Sequence, residues 1–271
     1  MNILFDYRVT LHFTICENID ETKLIKSIKK LSRSNRDIFI IGECKTSDVN
    51  DNCIYFTIQN NNLEINFSHI HYDGYSVWLV CQKIDQIYKN EVKNYTFQIY
   101  DVNYSKIKIF TNTIKILPKV NIKHIYNVLT KNKHENKTKI KILKTNFNEI
   151  STKEVIRYLV DKLELKEYYL ILNARKTYNE YEDVLGNLVY FSGKLNIKDD
   201  IRTNIQKNKN ESLEKKLNAT APNGLLVNSY LNFTLPSFIK HFIPPVPCAN
   251  YIVIHPVNNN KKYILVDYYR Y

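Results

Sequence analysis

Residues 63–89 read LEINFSHIHYDGYSVWLVCQKIDQIYK, and the period of their apolar positions changes once. Leu63, Ile65 and Phe67 share parity with His69, so a strand through them turns the histidine toward the apolar side. After Gly74 the spacing becomes helical, with Val77, Val80, Cys81, Ile84, Ile87 and Tyr88 on one face. Between strand and helix stands His69-Ile70-His71-Tyr72-Asp73-Gly74. A histidine at a strand end can face a cleft while an aspartate four residues later turns back into the protein, and the glycine lets the turn close. An imidazole titrates near neutral pH, which suits proton transfer. A buried aspartate needs a partner.

Upstream, residues 8–15 (RVTLHFTI) alternate strictly, with Val9, Leu11, Phe13 and Ile15 on one face, and predict a half-buried strand. Asp20 then precedes an amphipathic helix that carries Leu24, Ile25, Ile28 and Leu31, and is placed to cap its first turn. Residues 38–42 and 53–59 read as strands, and the asparagines at 60–62 turn the latter back into 63–69 as a hairpin.

Downstream, residues 107–110 and 114–117 are strand-like, 122–130 are helical, and the polar run at 131–138 is a connection. A strand over KIKILK follows, then a capping box, Ser151 to Glu154, opening a helix with Val155, Ile156, Leu159, Val160 and Leu163 on one face. Strand 168–175, the segment 183–191, a charged helical region at 198–217, strand 225–233, a loop with Pro244, Pro245 and Pro247, and two closing strands complete the chain. Strands and helices mix without a strict βαβ rhythm, so the expected class is α/β with mixed sheets. The expected organisation is an N-terminal lobe over 1–95, a connection over 96–138 and a C-terminal lobe over 139–271.

The 271 residues, 44% hydrophobic and 13% aromatic, exclude disorder of the whole, and five glycines exclude Gly-rich low-complexity classes. Five cysteines without a CxxC pair fit neither a disulfide framework nor a zinc ribbon. No window approaches the length of a membrane span and no leader pattern opens the chain, so the expectation is a cytoplasmic protein with no membrane span. The net charge of +12 comes from scattered lysines, which reads as a solvated surface rather than a nucleic-acid stripe. P-loop, Rossmann and GxSxG signatures are absent.

His69-x-x-x-Asp73-Gly74 resembles the active-site signature of the CoA-dependent acyltransferase superfamily: chloramphenicol acetyltransferase, the plant BAHD enzymes and nonribosomal peptide condensation domains. A chance match at this composition has odds of roughly one per cent. In that family too, the motif lies between a strand end and a helix. Leu172-Asn173-Ala174-Arg175 is similar to the second-lobe strand that ends in arginine. Leu185-Gly186-Asn187 resembles the Gly-Asn segment after it, and Leu226-Val227-Asn228-Ser229-Tyr230-Leu231 resembles the "FNYLG" strand of condensation domains.

The resemblance implies two chloramphenicol-acetyltransferase-like lobes in a compact condensation/BAHD-type architecture. It implies His69 as general base, with Asp73 structural beside Gly74 and paired to Arg175, and Asn187, Asn228 and Ser229 toward substrate. It implies an acyl-CoA or acyl-carrier thioester as co-substrate, a small-molecule acceptor, and no permanently bound cofactor or metal. Two features depart from the pattern. Ser68 occupies the place of a first histidine, with His71 inside the x-x-x, and the BAHD "DFGWG" motif is absent.

Other readings of the same residues stay open. A non-catalytic member would use the interlobe cleft for binding. His69 and His71 share strand parity as an HxH pair, although no Cys/His spacing supplies further metal ligands. Arg175 as a surface arginine and Gly186-Asn187 as an ordinary turn are the plain alternatives.

Overall fold

The computed structural model describes residues 8–43, 53–69, 71–100, 137–143, 154–156, 167–176, 178–196, 216–217, 224–230, 234–243, 251–256 and 263–269. The runs expected at 107–110, 114–117 and 122–130 lie outside these residues. So do most of the helix opened by Ser151 and of the charged region at 198–217.

The alternation at the N-terminus produces β1 (Arg8–Ile15), with Leu11, Phe13 and Ile15 each 2% exposed or less. It pairs antiparallel with β4 (Asn62–Ser68), setting Leu11 opposite Ile65 and Phe13 opposite Leu63. Apolar cross-strand pairs of this kind fix the register, because a slip of one residue would send every one of them to the other face. β2 (Phe39–Ile41) runs parallel to β3 (Ile54–Gln59), which turns into β4 through Asn60 and Asn61 at φ of 52° and 60°. Two left-handed residues in a row are the requirement of a two-residue hairpin turn, and asparagine tolerates that conformation.

Helix α1 (Glu21–Ser34) begins where Asp20 accepts a hydrogen bond from the Lys23 N–H, and it buries Leu24, Ile28 and Leu31. Helix α2 (Gly74–Tyr88) packs beside it and is buried along Val77, Val80, Cys81, Ile84 and Ile87. Burial of side chains of this size contributes about 1.5–3 kcal/mol each. No helix among the described residues is long and apolar enough to cross a membrane.

The second body is built on β6 (Lys137–Leu143), β7 (Glu167–Asn173), β9 (Val189–Phe191), β10 (Leu195–Asn196), β11 (Leu226–Ser229), β13 (Tyr251–Pro256) and β14 (Tyr263–Tyr269). Its order is β10-β7-β11-β13-β14-β6, with β9 also on β7. β11 is parallel to both neighbours, while the outer pairs are antiparallel. Both main sheets are therefore mixed. The short strands β5 (Gln98–Ile99) and β8 (Val184–Leu185) pair with each other.

One element crosses between the bodies. β12 (Ile239–Ile243) comes from the C-terminal half, yet it pairs with β1 and completes the first sheet in the order β12-β1-β4-β3-β2. Sequence patterning places no strand here. Phe242 of β12 stacks on Phe13 at 5.4 Å and meets Trp78 edge-on at 5.6 Å and Tyr230 at 5.4 Å. The first core thus takes in Tyr230, Leu235, Phe238 and Val253 from the far end of the chain.

Candidate functional site

β4 ends at Ser68, whose carbonyl accepts the N–H groups of His71 and Tyr72 at 3.1 and 3.0 Å and bends the chain at once. His69 stands in this bend, partly buried, with its ring 6.2 Å from that of Phe67. Burial lowers the His69 pKa from its ordinary 6.5, opposed by a hydrogen bond to its own main-chain carbonyl and by the Asp73 carboxylate. Desolvation disfavours the imidazolium, so the ring is held neutral and proton-accepting.

Asp73 is the N-cap of α2, and its Oδ1 accepts from the Ser76 N–H at 2.8 Å. Its other oxygen accepts from Arg175 Nη1 at 2.7 Å and from the Leu188 N–H at 2.9 Å, with both charged side chains fully buried. Asp73 and Arg175, 102 positions apart, are brought together.

Arg175 lies just past the strand expected to carry it. β7 stops at Asn173, because the Asn173 side chain accepts the Arg175 N–H at 2.9 Å and turns the backbone into a short 3-10 helix over Ala174–Lys176. From there the guanidinium reaches five acceptors: Nε to the Val184 carbonyl, Nη1 to Asp73 and Asn173, Nη2 to Ser76 Oγ and the Gly186 carbonyl, at 2.7–3.3 Å. All five N–H groups are engaged. A buried ion pair offsets its desolvation only when the remaining donors and lone pairs are satisfied, and here they are.

Gly186 follows β8 at the point where its backbone meets the motif. Its carbonyl accepts from the Asp73 N–H at 3.2 Å, and its N–H donates to Ser76 Oγ at 3.0 Å. A Cβ there would sit 2.7 Å from the Cβ of Tyr100, so the approach requires glycine. Asn187 donates from Nδ2 to the His69 carbonyl at 2.7 Å. This residue, expected toward substrate, is placed against the histidine's own backbone.

Asn228 donates from Nδ2 to the hydroxyls of Tyr230 and Tyr251 at 3.1 and 3.0 Å, tying β11 to β13. The Tyr230 hydroxyl in turn lies 3.4 Å from where a Cβ on Gly74 would be, and burial raises its pKa to about 12. Ser229 is half-buried at the end of β11. Sequence reasoning did not single out Ser76, the hub between Asp73, Arg175 and Gly186. The usable signal was its position three residues after an N-cap aspartate, on the buried face of a helix. Among the described residues no group of three or more His, Cys, Asp or Glu side chains is placed to hold a metal ion.

No protein-family model and no curated protein matches the sequence. Solved structures do match in fold. Vinorine synthase aligns over 97% of this chain and 86% of its own, with a TM-score of 0.58 and 11% identity. Polyketide synthase associated protein 5 from Mycobacterium tuberculosis aligns over 96% and 88%, with a TM-score of 0.53 and 9% identity. The starter condensation domain of rhizomide synthetase, solved as a mutant in complex with C8-CoA, aligns over 97% and 83%, with a TM-score of 0.51 and 10% identity. With two mixed-sheet bodies and similarity of this extent, the chain shares the fold of vinorine synthase, polyketide synthase associated protein 5 and the rhizomide synthetase starter condensation domain.

Proposed function

We propose that the protein is an acyltransferase that moves an acyl group from a thioester, acyl-CoA or carrier-bound, to a hydroxyl or amine acceptor, with His69 as general base. The observation that carries this reading is a histidine in the bend after β4, its pKa lowered by burial, on a loop held by the Asp73–Arg175 network. Chemically, the ring nitrogen not bound to the His69 carbonyl takes the acceptor's proton as the acceptor oxygen or nitrogen bonds to the thioester carbon. The C–S bond breaks as the tetrahedral adduct collapses, and the thiolate takes the proton back from the imidazolium. No external oxidant, reductant or metal enters this balance.

Asp73 and Arg175 touch no reacting atom in this scheme. They hold the 69–76 loop, and their mutual neutralisation keeps a net charge away from the imidazole. A bound C8-CoA in the rhizomide synthetase domain supports acyl-CoA as the first donor class to try.

The test is thiol release from a panel of acyl-CoA and acyl-carrier thioesters, with and without hydroxyl and amine acceptors, for the wild type, His69→Ala and His71→Ala. Acceptor-dependent release that is lost in His69→Ala and kept in His71→Ala supports the reading. Equal turnover by His69→Ala and the wild type overturns His69 as the general base, whereas thioester affinity without turnover by the wild type is the result expected of a non-catalytic binding module.

A further inference from the structure

We propose that the outward face of α1 is a binding groove for a compact polyphosphate, two or more linked phosphate groups that are either free or carried by a nucleotide. The proposal does not depend on the acyltransferase reading and adds a second site to the protein.

The helix sequence sets the pattern. In ETKLIKSIKKLSRS the buried positions are Leu24, Ser27, Ile28 and Leu31, and the opposite face carries Lys26, Lys29, Lys30 and Arg33 at the i, i+3, i+4, i+7 spacing of one stripe. The single carboxylate of the helix, Glu21, is in its first turn, and of the four cations only Arg33 lies in the last turn, where a positive charge complements the helix dipole. Lys26 faces Lys30 and Lys29 faces Arg33 as like-charged i, i+4 pairs, which weaken a helix until a counter-charge arrives.

The surroundings do not supply that counter-charge. Among the described residues none of the four is ion-paired, whereas Lys89 is paired with Asp85, Lys194 with Glu167 and Lys240 with Glu17. Lys23 on the same helix and Lys83 on α2 lie over the rings of Tyr88 and Tyr95, at 4.5 and 4.2 Å.

The stripe is also one wall of a concavity. Lys26, Lys29, Lys30, Arg33 and Ser34 line a groove of about 440 Å³ together with Asn94, which follows α2. Asn35 fastens the second wall to the first. It is 5% exposed; its Nδ2 donates to the carbonyls of Leu31 and Tyr95, both at 2.8 Å, and its Oδ1 accepts the Phe97 N–H at 2.9 Å. The segment after α2 is thereby tied to the C-terminal end of α1, and Asn94 is held at the groove.

Shape and charge together select the ligand. Lys26 and Arg33 are about 10 Å apart along the helix axis, room for a short chain of linked phosphates. The volume falls within the ~300–1,000 Å³ of small-molecule sites. Phosphate oxygens accept hydrogen bonds, and the guanidinium fork, three ammonium groups, the Ser34 hydroxyl and the Asn94 amide can all donate them. Duplex nucleic acid would need a longer stripe, since phosphates follow one another every ~3.4 Å along a strand and binding draws on many of them.

The experiment is calorimetric titration of the full-length protein with sodium tripolyphosphate, orthophosphate and ATP, without divalent cations, in about 0.15 M salt to screen the diffuse field of the protein. Lys26→Gln/Lys30→Gln is compared with Lys194→Gln/Lys240→Gln, which lowers the net charge equally at two lysines outside the groove. The wild type is expected to bind tripolyphosphate about tenfold or more tighter than orthophosphate, and the groove variant to lose about tenfold or more of that affinity while the control stays within about twofold. ATP that binds no tighter than tripolyphosphate assigns the groove to free polyphosphate, and ATP that binds tighter assigns it to a nucleotide; both support the proposal.

A wild type that does not bind tripolyphosphate overturns it. So does equal loss in the two double variants, which would trace binding to the net charge of +12. So does a short DNA duplex that binds through the same lysines more tightly than tripolyphosphate, which would make the stripe a nucleic-acid surface. Both groove substitutions lie on the helix surface and relieve repulsion, so this variant is expected to unfold at the wild-type temperature or above; if it does not, Lys29→Gln/Arg33→Gln takes its place. Failure of the acyltransferase reading would leave these titrations as they are.

Discussion

Ser76 and Gly186 clasp each other across 110 positions of sequence: the Gly186 N–H donates to Ser76 Oγ at 3.0 Å, and the hydroxyl lies 2.9 Å from the Gly186 carbonyl. The same oxygen accepts from Arg175 Nη2 at 2.9 Å. Ser76→Ala removes the acceptor from two buried donors at once. An orphaned buried donor costs about 1–3 kcal/mol. Urea unfolding of Ser76→Ala should show a lowered midpoint with an unchanged slope.

The Asp73–Arg175 pair should behave as a unit. Asp73→Ala leaves a fully buried guanidinium without its counter-ion, and breaking such a pair costs about 3–5 kcal/mol. Arg175→Met alone strands the carboxylate and should be similarly damaging. Combining Arg175→Met with Asp73→Leu is expected to recover a large part of the loss, read as a coupling energy in a double-mutant cycle. Strict additivity of the two single changes would contradict the arrangement described.

Proton linkage gives a third expectation. The folded pKa of His69 lies below 6.5 because burial disfavours the charged ring. As pH falls, the unfolded chain takes the proton first, so this residue withdraws stability as pH drops through about 6.5, and the withdrawal levels off below the folded pKa. In the proposed reaction the acid limb of kcat/KM should have its midpoint below 6.5, where an unperturbed histidine would place it at that value.

Phe242 offers a test far from the motif. It is 5% exposed, stacks on Phe13 and meets Trp78 and Tyr230 edge-on, joining β1, α2 and the end of β11. Phe242→Ala is expected to cost about 3–5 kcal/mol. Phe242→Leu, which keeps most of the volume, should cost less than half of that in the same unfolding assay.

Local patterning made much of this readable in advance. Val9 to Ile15 alternate, Asp20 caps, and Asn60-Asn61 turn, because each signal lives within a few residues and is enforced by backbone sterics. His69 and Asp73 could be picked out because His69-x-x-x-Asp73-Gly74 resembles a known signature and stands where the period of the chain changes. What stayed hidden is what depends on distant partners. Ile239–Ile243 carries no alternation that announces a strand, and its pairing with β1 is decided by tertiary packing of Phe242. The hydrogen bond from Asn187 to a carbonyl 118 positions away was hidden too, because spacing does not encode it.

The strand β12 also dictates a timetable. β1 leaves the ribosome long before the strand that covers one of its edges, residues 239–243. At about 5–20 residues per second, the gap is roughly ten to forty seconds of synthesis. During that interval Phe13 lacks the ring that stacks on it, and an open strand edge faces whatever other chains are nearby. A protein cut short anywhere before residue 239 would keep that edge for good, so nascent-chain length, more than any single side chain, should govern when this polypeptide ceases to be prone to aggregation.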